Sequence, residues 1–275
     1  MSLKENLMLV NLSISKWGAR KYDPAISNEV TRNHSATADS ARVNKLLLSS
    51  DSFKNITTTG GVAYNYHIKY TLAWEDNGPR ALPSGRYFEY LSVMSEAKLK
   101  FEEAVQEFIK EYPELVEKAK YARLGSMYNP NDYPPVYELQ DKFKMKFTFM
   151  PVADSSDFRI QMSEDEVVQI KNDITAELDA RVNKALGDIL ERSREVVYKI
   201  YETLNEPNKI FRDTLLGNVK SLAELIPLLN FTNDAHVNDV CNLLNSLDYD
   251  PETLRWKLSL RKEVAAKAKL IYNQI

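Results

Sequence analysis

The chain has 275 residues and a formal net charge of −3 at neutral pH, with 44% hydrophobic and 27% charged residues. Those proportions exclude a disordered or fibrous chain. The acidic balance removes bulk positive charge as an argument for nucleic-acid binding, so any phosphate affinity has to come from a local patch.

In chain order, the first 160 residues read as mixed α and β. Residues 7–14 form a short apolar run and predict a partly buried strand. Residues 57–61, Thr-Thr-Thr-Gly-Gly, read as a turn. Over 62–74, Tyr64, Tyr66, Ile68 and Tyr70 alternate with Asn65, His67, Lys69 and Thr71, which predicts a second strand. From Ser84, a candidate N-cap, Leu91, Met94, Phe101, Val105, Phe108 and Tyr112 recur at helical spacing and predict a long helix over 84–112. Pro113 kinks it or opens a following helix that Gly125 ends. A loop rich in proline and tyrosine follows over 128–135. Residues 142–149 predict a third strand, with Phe143, Met145, Phe147 and Phe149 on one face and Lys142, Lys144, Lys146 and Thr148 on the other.

Beyond 160 the pattern is helical throughout. Ser163 and Glu166 form a capping box, and an apolar stripe from Val167 to Leu204 steps by close to 3.7 residues. This predicts a straight helix over 163–205, about 60 Å long, closed by Pro207. Helices over 209–229, 234–247 and 251–272 complete the chain. The expected fold is α+β: a small antiparallel or mixed sheet packed on long helices (1–160), then an all-helical half (161–275).

Recognisable catalytic and cofactor signatures are missing: no phosphate-binding glycine loop, no zinc-helix motif, no nucleophile elbow and no paired cysteines. Neither enzymatic activity nor a cofactor is therefore expected. His34, His67 and His236 stand too far apart to suggest a metal site, and Asp154 with Asp157 reads as a pair of turn formers. Cys241 is the only cysteine, which excludes an internal disulfide framework; its apolar surroundings mark a small buried thiol. No run approaches the length of a membrane span and no secretory signal is visible, so a cytoplasmic location is expected.

Three features carry alternatives. Lys142, Lys144 and Lys146, joined by Lys69 and His67 if the strands pair, would make a cationic sheet face able to track single-stranded DNA; the commoner role of such lysines is to keep an outer face wet and unpaired. Arg255, Lys257, Arg261, Lys262 and Lys267 make the last helix basic. That helix either docks along the acidic helix over 163–205 or offers a surface to a partner. In residues 71–83, Asp76 and Arg80 would pair across a turn with Trp74 beneath, as a structural corner or a ligand-facing loop.

Residues 11–21 (Asn-Leu-Ser-Ile-Ser-Lys-Trp-Gly-Ala-Arg-Lys), residues 71–83 and residues 151–159 (Pro-Val-Ala-Asp-Ser-Ser-Asp-Phe-Arg) together resemble a group of uncharacterised tailed-bacteriophage proteins, itself similar to the DUF3150 proteins of phages and mobile elements. The likeness runs in order through most of the chain. It implies a phage context and gene neighbours of two kinds, an AAA+ ATPase of the MoxR or CobS type and a von Willebrand A-type protein. It implies no catalytic residue. The expectation is a non-catalytic accessory factor of phage DNA metabolism that binds single-stranded nucleic acid. The alternatives are an adaptor working with the AAA+ ATPase and, more weakly, an anti-defence or host-takeover inhibitor.

Overall fold

A computed structural model describes residues 3–153 and 164–275. In chain order the helices are α1 (Leu3–Asn6), α2 (Pro24–Asn33), α3 (Lys54–Tyr70), α4 (Tyr87–Lys118), α5 (Val136–Lys142), α6 (Glu164–Asn205), α7 (Thr214–Leu229), α8 (Ala235–Asn245), α9 (Pro251–Trp256) and α10 (Leu258–Gln274). The strands are β1 (Leu7–Ser15), β2 (Arg20–Tyr22), β3 (Asn44–Leu46), β4 (Arg80–Pro83) and β5 (Lys144–Pro151). The α+β class holds, with helices dominating the C-terminal half. The expected capping box at Ser163 and the pair Asp154 and Asp157 lie outside the described residues.

β1 is the central strand of a sheet ordered β4-β1-β5, and its antiparallel pairing with β4 sets Leu7 opposite Pro83 and Val10 opposite Arg80. Pro83 is tolerated because β4 is an edge strand. The second sheet is the two-stranded antiparallel ribbon β2-β3.

The strand expected over 62–74 is instead the C-terminal part of α3. Its alternating tyrosines are incidental: the buried positions are Ile56, Gly60, Ala63, His67 and Tyr70, three to four residues apart. Small residues on that face hide the helical period from a hydrophobicity reading. Gly60 is packed closely enough that a Cβ there would lie 3.7 Å from the Phe101 ring. Tyr64 and Tyr66 are left on the exposed side.

α4 continues through Pro113, because buried residues on both sides of the proline, Tyr112 and Ala119, hold the helix to its neighbours. Gly125, at φ +52°, ends the turns that follow. The last expected helix is two helices, broken at Lys257 (φ −101°, ψ 88°). The chain forms two compact units, one from residues within 1–11, 68–90 and 148–275, the other from residues within 12–67 and 91–147. The chain passes from one unit to the other inside β1, α3, α4 and β5.

In the first unit, Ala185, Ile189, Val197, Ile200 and Leu204 of α6 are buried with Val264, Ala265, Ala268 and Ile271 of α10, and α7 and α8 pack on the same core. The second unit has an aromatic core. Phe108 lies 4.9 Å from Phe53 and 5.5 Å from Phe143, ring centre to ring centre, and Trp17 stands edge-on to Tyr112. No described helix is long and apolar enough to cross a membrane.

Candidate docking surface

Residues 71–83 form a hairpin-like corner closed by the Leu72–Ala81 bridge, and the corner is bolted to α6. The expected Asp76–Arg80 pair is not made. Instead Glu75 pairs with Arg181, Asp76 with Lys184 at 2.6 Å, and Arg80 with Asp188 at 3.1 Å. Positions 181, 184 and 188, with 192, share one helix face. Asp188 also accepts from the Ala73 amide at 2.7 Å and from Arg192, while Arg80 and Arg192 both donate to the Thr71 carbonyl. Trp74 is buried beneath. The Lys184 ammonium holds the Asp76 carboxyl below its ordinary range. Gly78 is needed here, since a Cβ would meet the Glu75 carboxylate at 2.6 Å. Trp74, Glu75 and Arg181 also line a cavity of about 420 Å³, with Leu9, Val152 and Leu178 among its apolar walls. Arg181 is consumed by Glu75 and Glu177, so its charge is not free to orient a ligand. The charged side chains of the corner are thus taken up by α6.

The cationic sheet face does not assemble as expected. β5 does alternate, with Met145 buried and Lys144 and Lys146 exposed, but Lys142 ends α5, and Lys69 and His67 belong to α3 rather than to a neighbouring strand. His67 is buried, and Lys144 makes a surface pair with Asp141 at 3.2 Å. On an edge strand, Lys144 and Lys146 discourage unwanted strand pairing. His34 caps α2, while His67 and His236 sit on α3 and α8. Among the described residues no group of three or more His, Cys, Asp or Glu could hold a metal ion. Cys241 is buried, donates to the Ala223 carbonyl, and has its thiol pushed up by burial.

The basic last helix is largely spent inside the fold. α10 packs along α6, and Arg261, buried, donates to the carbonyls of Thr203, Leu204, Glu206 and Lys209. It caps the C-terminus of α6, where orphan carbonyls and the helix dipole both favour a cation. Arg255 pairs with Asp213 and donates to the Phe211 carbonyl, and Lys267 donates to the Ser246 carbonyl at 2.6 Å. Of the five expected partner-binding cations, Lys257 and Lys262 remain exposed, with no ion pair among the described residues.

These internal bonds build something the sequence reading missed. Arg255 and Arg261 lie over the Phe211 ring, 5.1 and 5.4 Å from its centre, and pin the loop after α6 against the α9–α10 junction. At that fixed point Ile210 is 94% exposed, Trp256 81% and Leu258 54%. Lys257 and Lys262 are exposed on the same junction. The sequence signal was Arg255-Trp256-Lys257, a tryptophan held between cations at a helix end.

Comparisons with protein-family models, with curated proteins and with solved structures each give no match. What distinguishes this α+β protein is the exposed apolar cluster Ile210, Trp256 and Leu258 with Lys257 and Lys262 beside it.

Proposed function

We propose that the chain is a non-catalytic adaptor that docks a partner protein through Ile210, Trp256 and Leu258. The observation that supports this most is a tryptophan left 81% exposed on a braced frame. A buried aromatic removes about 150–250 Å² from water, worth roughly 4–6 kcal/mol at about 25 cal/mol per Å². Leaving that uncollected is what an interface anchor does, and bracing by Arg255 and Arg261 limits the ordering cost of binding. Lys257 and Lys262 favour a partner whose apolar pocket has an acidic rim. The resemblance to phage proteins encoded beside an AAA+ ATPase of the MoxR or CobS type supplies the partner of choice.

Co-expression with such an ATPase and the von Willebrand A-type protein tests this reading. The wild-type chain is expected to co-purify with the ATPase, and Ile210→Ser with Trp256→Ala to lose it. Lys257→Glu with Lys262→Glu is expected to weaken capture and to make it less salt-sensitive. No complex, or one that survives loss of Trp256 and Ile210, would overturn the proposal.

A further inference from the structure

The ribbon β2-β3 of the second unit has two unlike faces. In its antiparallel register Lys21 lies opposite Lys45, while Arg20 lies opposite Leu46 and Tyr22 opposite Asn44. Lys45 is buried on the inner side and gathers both nearby carboxylates, Asp23 at 3.1 Å and Asp132 at 2.7 Å. Asp23 is further committed as the N-cap of α2, accepting from the Ile26 amide. Asp23 and Asp132 are thus turned toward the inner side.

The outer face mixes a cation, an aromatic ring, an amide and an aliphatic side chain. Arg20, Tyr22, Asn44 and Leu46 are exposed, and Arg42 lies over the Tyr22 ring at 4.8 Å. At the edge of the ribbon Arg123, from the turn after α4, donates through one of its nitrogens to the Leu46 carbonyl at 3.1 Å. Among the described residues none of these three guanidinium groups pairs with a carboxylate. The turn that carries Arg123 also exposes Tyr121, with Lys120 over its ring.

From this juxtaposition we infer that the outer face of the ribbon binds single-stranded nucleic acid. Arg20, Arg42 and Arg123 offer forked donors to successive phosphates, and the stacked Arg42–Tyr22 pair offers a flat surface to a base. A duplex keeps its bases stacked internally and would leave Tyr22 and Leu46 without a partner. Three-residue strands span about 10 Å, so the face covers only a few nucleotides. The inference is independent of the docking surface and goes beyond it.

Fluorescence anisotropy with a labelled oligothymidylate of about twelve nucleotides tests it. Binding is expected at low salt, with log K falling against log salt with a slope of about −2 for three phosphate contacts. Arg20→Gln, Arg42→Gln and Arg123→Gln together should weaken binding at least tenfold. Each single change, less able to disturb folding, should weaken it about threefold, and Tyr22→Ala should weaken it with the salt slope unchanged. Trp256→Ala and Lys144→Glu with Lys146→Glu should bind as wild type. Four results would overturn the inference: no binding at low salt, unchanged binding by the triple variant, equal affinity for the duplex, or displacement by polyglutamate at equal charge concentration. The last would assign the face to an acidic protein.

Discussion

In the unit built on α6, Arg80, Arg181, Arg192, Arg255 and Arg261 each end on a carboxylate or a row of carbonyls, whereas in the other unit the exposed Arg20, Arg42 and Arg123 meet no carboxylate among the described residues. Residue type is the same in both sets. The difference lies in where the acids went: Asp188, Glu75 and Asp213 face the first group, while Lys45 draws Asp23 and Asp132 away from the second. A cation is structural when the fold brings it an anion or a helix end, and free for an external anion when the fold spends its neighbouring anions elsewhere.

The sharpest way to break this comparison is Asp188→Ala, which takes the carboxylate from two partly buried guanidinium groups and the acceptor from the Ala73 amide. It should cost about 3–4 kcal/mol in urea unfolding. Arg261→Ala uncovers the carbonyls at the end of α6 and should cost about 2–3 kcal/mol by the same measurement. A loss under about 0.5 kcal/mol for either, the ordinary effect of a surface change, would erase the distinction.

The Lys45 triad gives the comparison a pH signature. The Ile26 amide, and then Lys45, hold the Asp23 carboxyl below its ordinary value, so its contribution is fully present above pH 3.8 and is lost as pH falls through the lowered value. Lys45 is shifted the other way, upward, chiefly by its bond to Asp132; its contribution is present below pH 10.5 and lost as pH rises through the raised value. Unfolding midpoints followed from neutral to acid pH should fall less steeply for Asp23→Asn than for wild type, and parallel slopes would contradict the assignment. The smallest expected effect closes the comparison. Arg20→Gln, Arg42→Gln and Arg123→Gln together should change stability by less than about 0.5 kcal/mol, since no buried group depends on them. A larger loss in urea unfolding would make them structural after all.

Much of the architecture was legible because apolar side chains repeat at the period of their element. β1, β5, α4 and α6 show this, since each buries large residues on one face. α3 did not, because Gly60 and Ala63 bury without adding hydrophobicity, and Tyr64, Tyr66, Ile68 and Tyr70 happen to alternate as in a strand. The basic character of the last helix was legible too, yet Arg261 and Lys257, four residues apart, have opposite fates. Neither the exposed Trp256 nor the Arg20–Tyr22–Arg42 face could be assigned before the fold was known.

By itself the sequence determined the fold class, the long helix α6 and the single unpaired thiol, since local periodicity and composition act over a few turns of chain. Only the tertiary structure decided which charges cancel. Asp188 and Arg80 are 108 residues apart, and Lys45 and Asp132 meet only because the ribbon folds beside the turn after α4. Electrostatic pairing acts over a few ångströms of space rather than along the chain, so the free cations and the uncovered tryptophan appear only when the neighbours are in place.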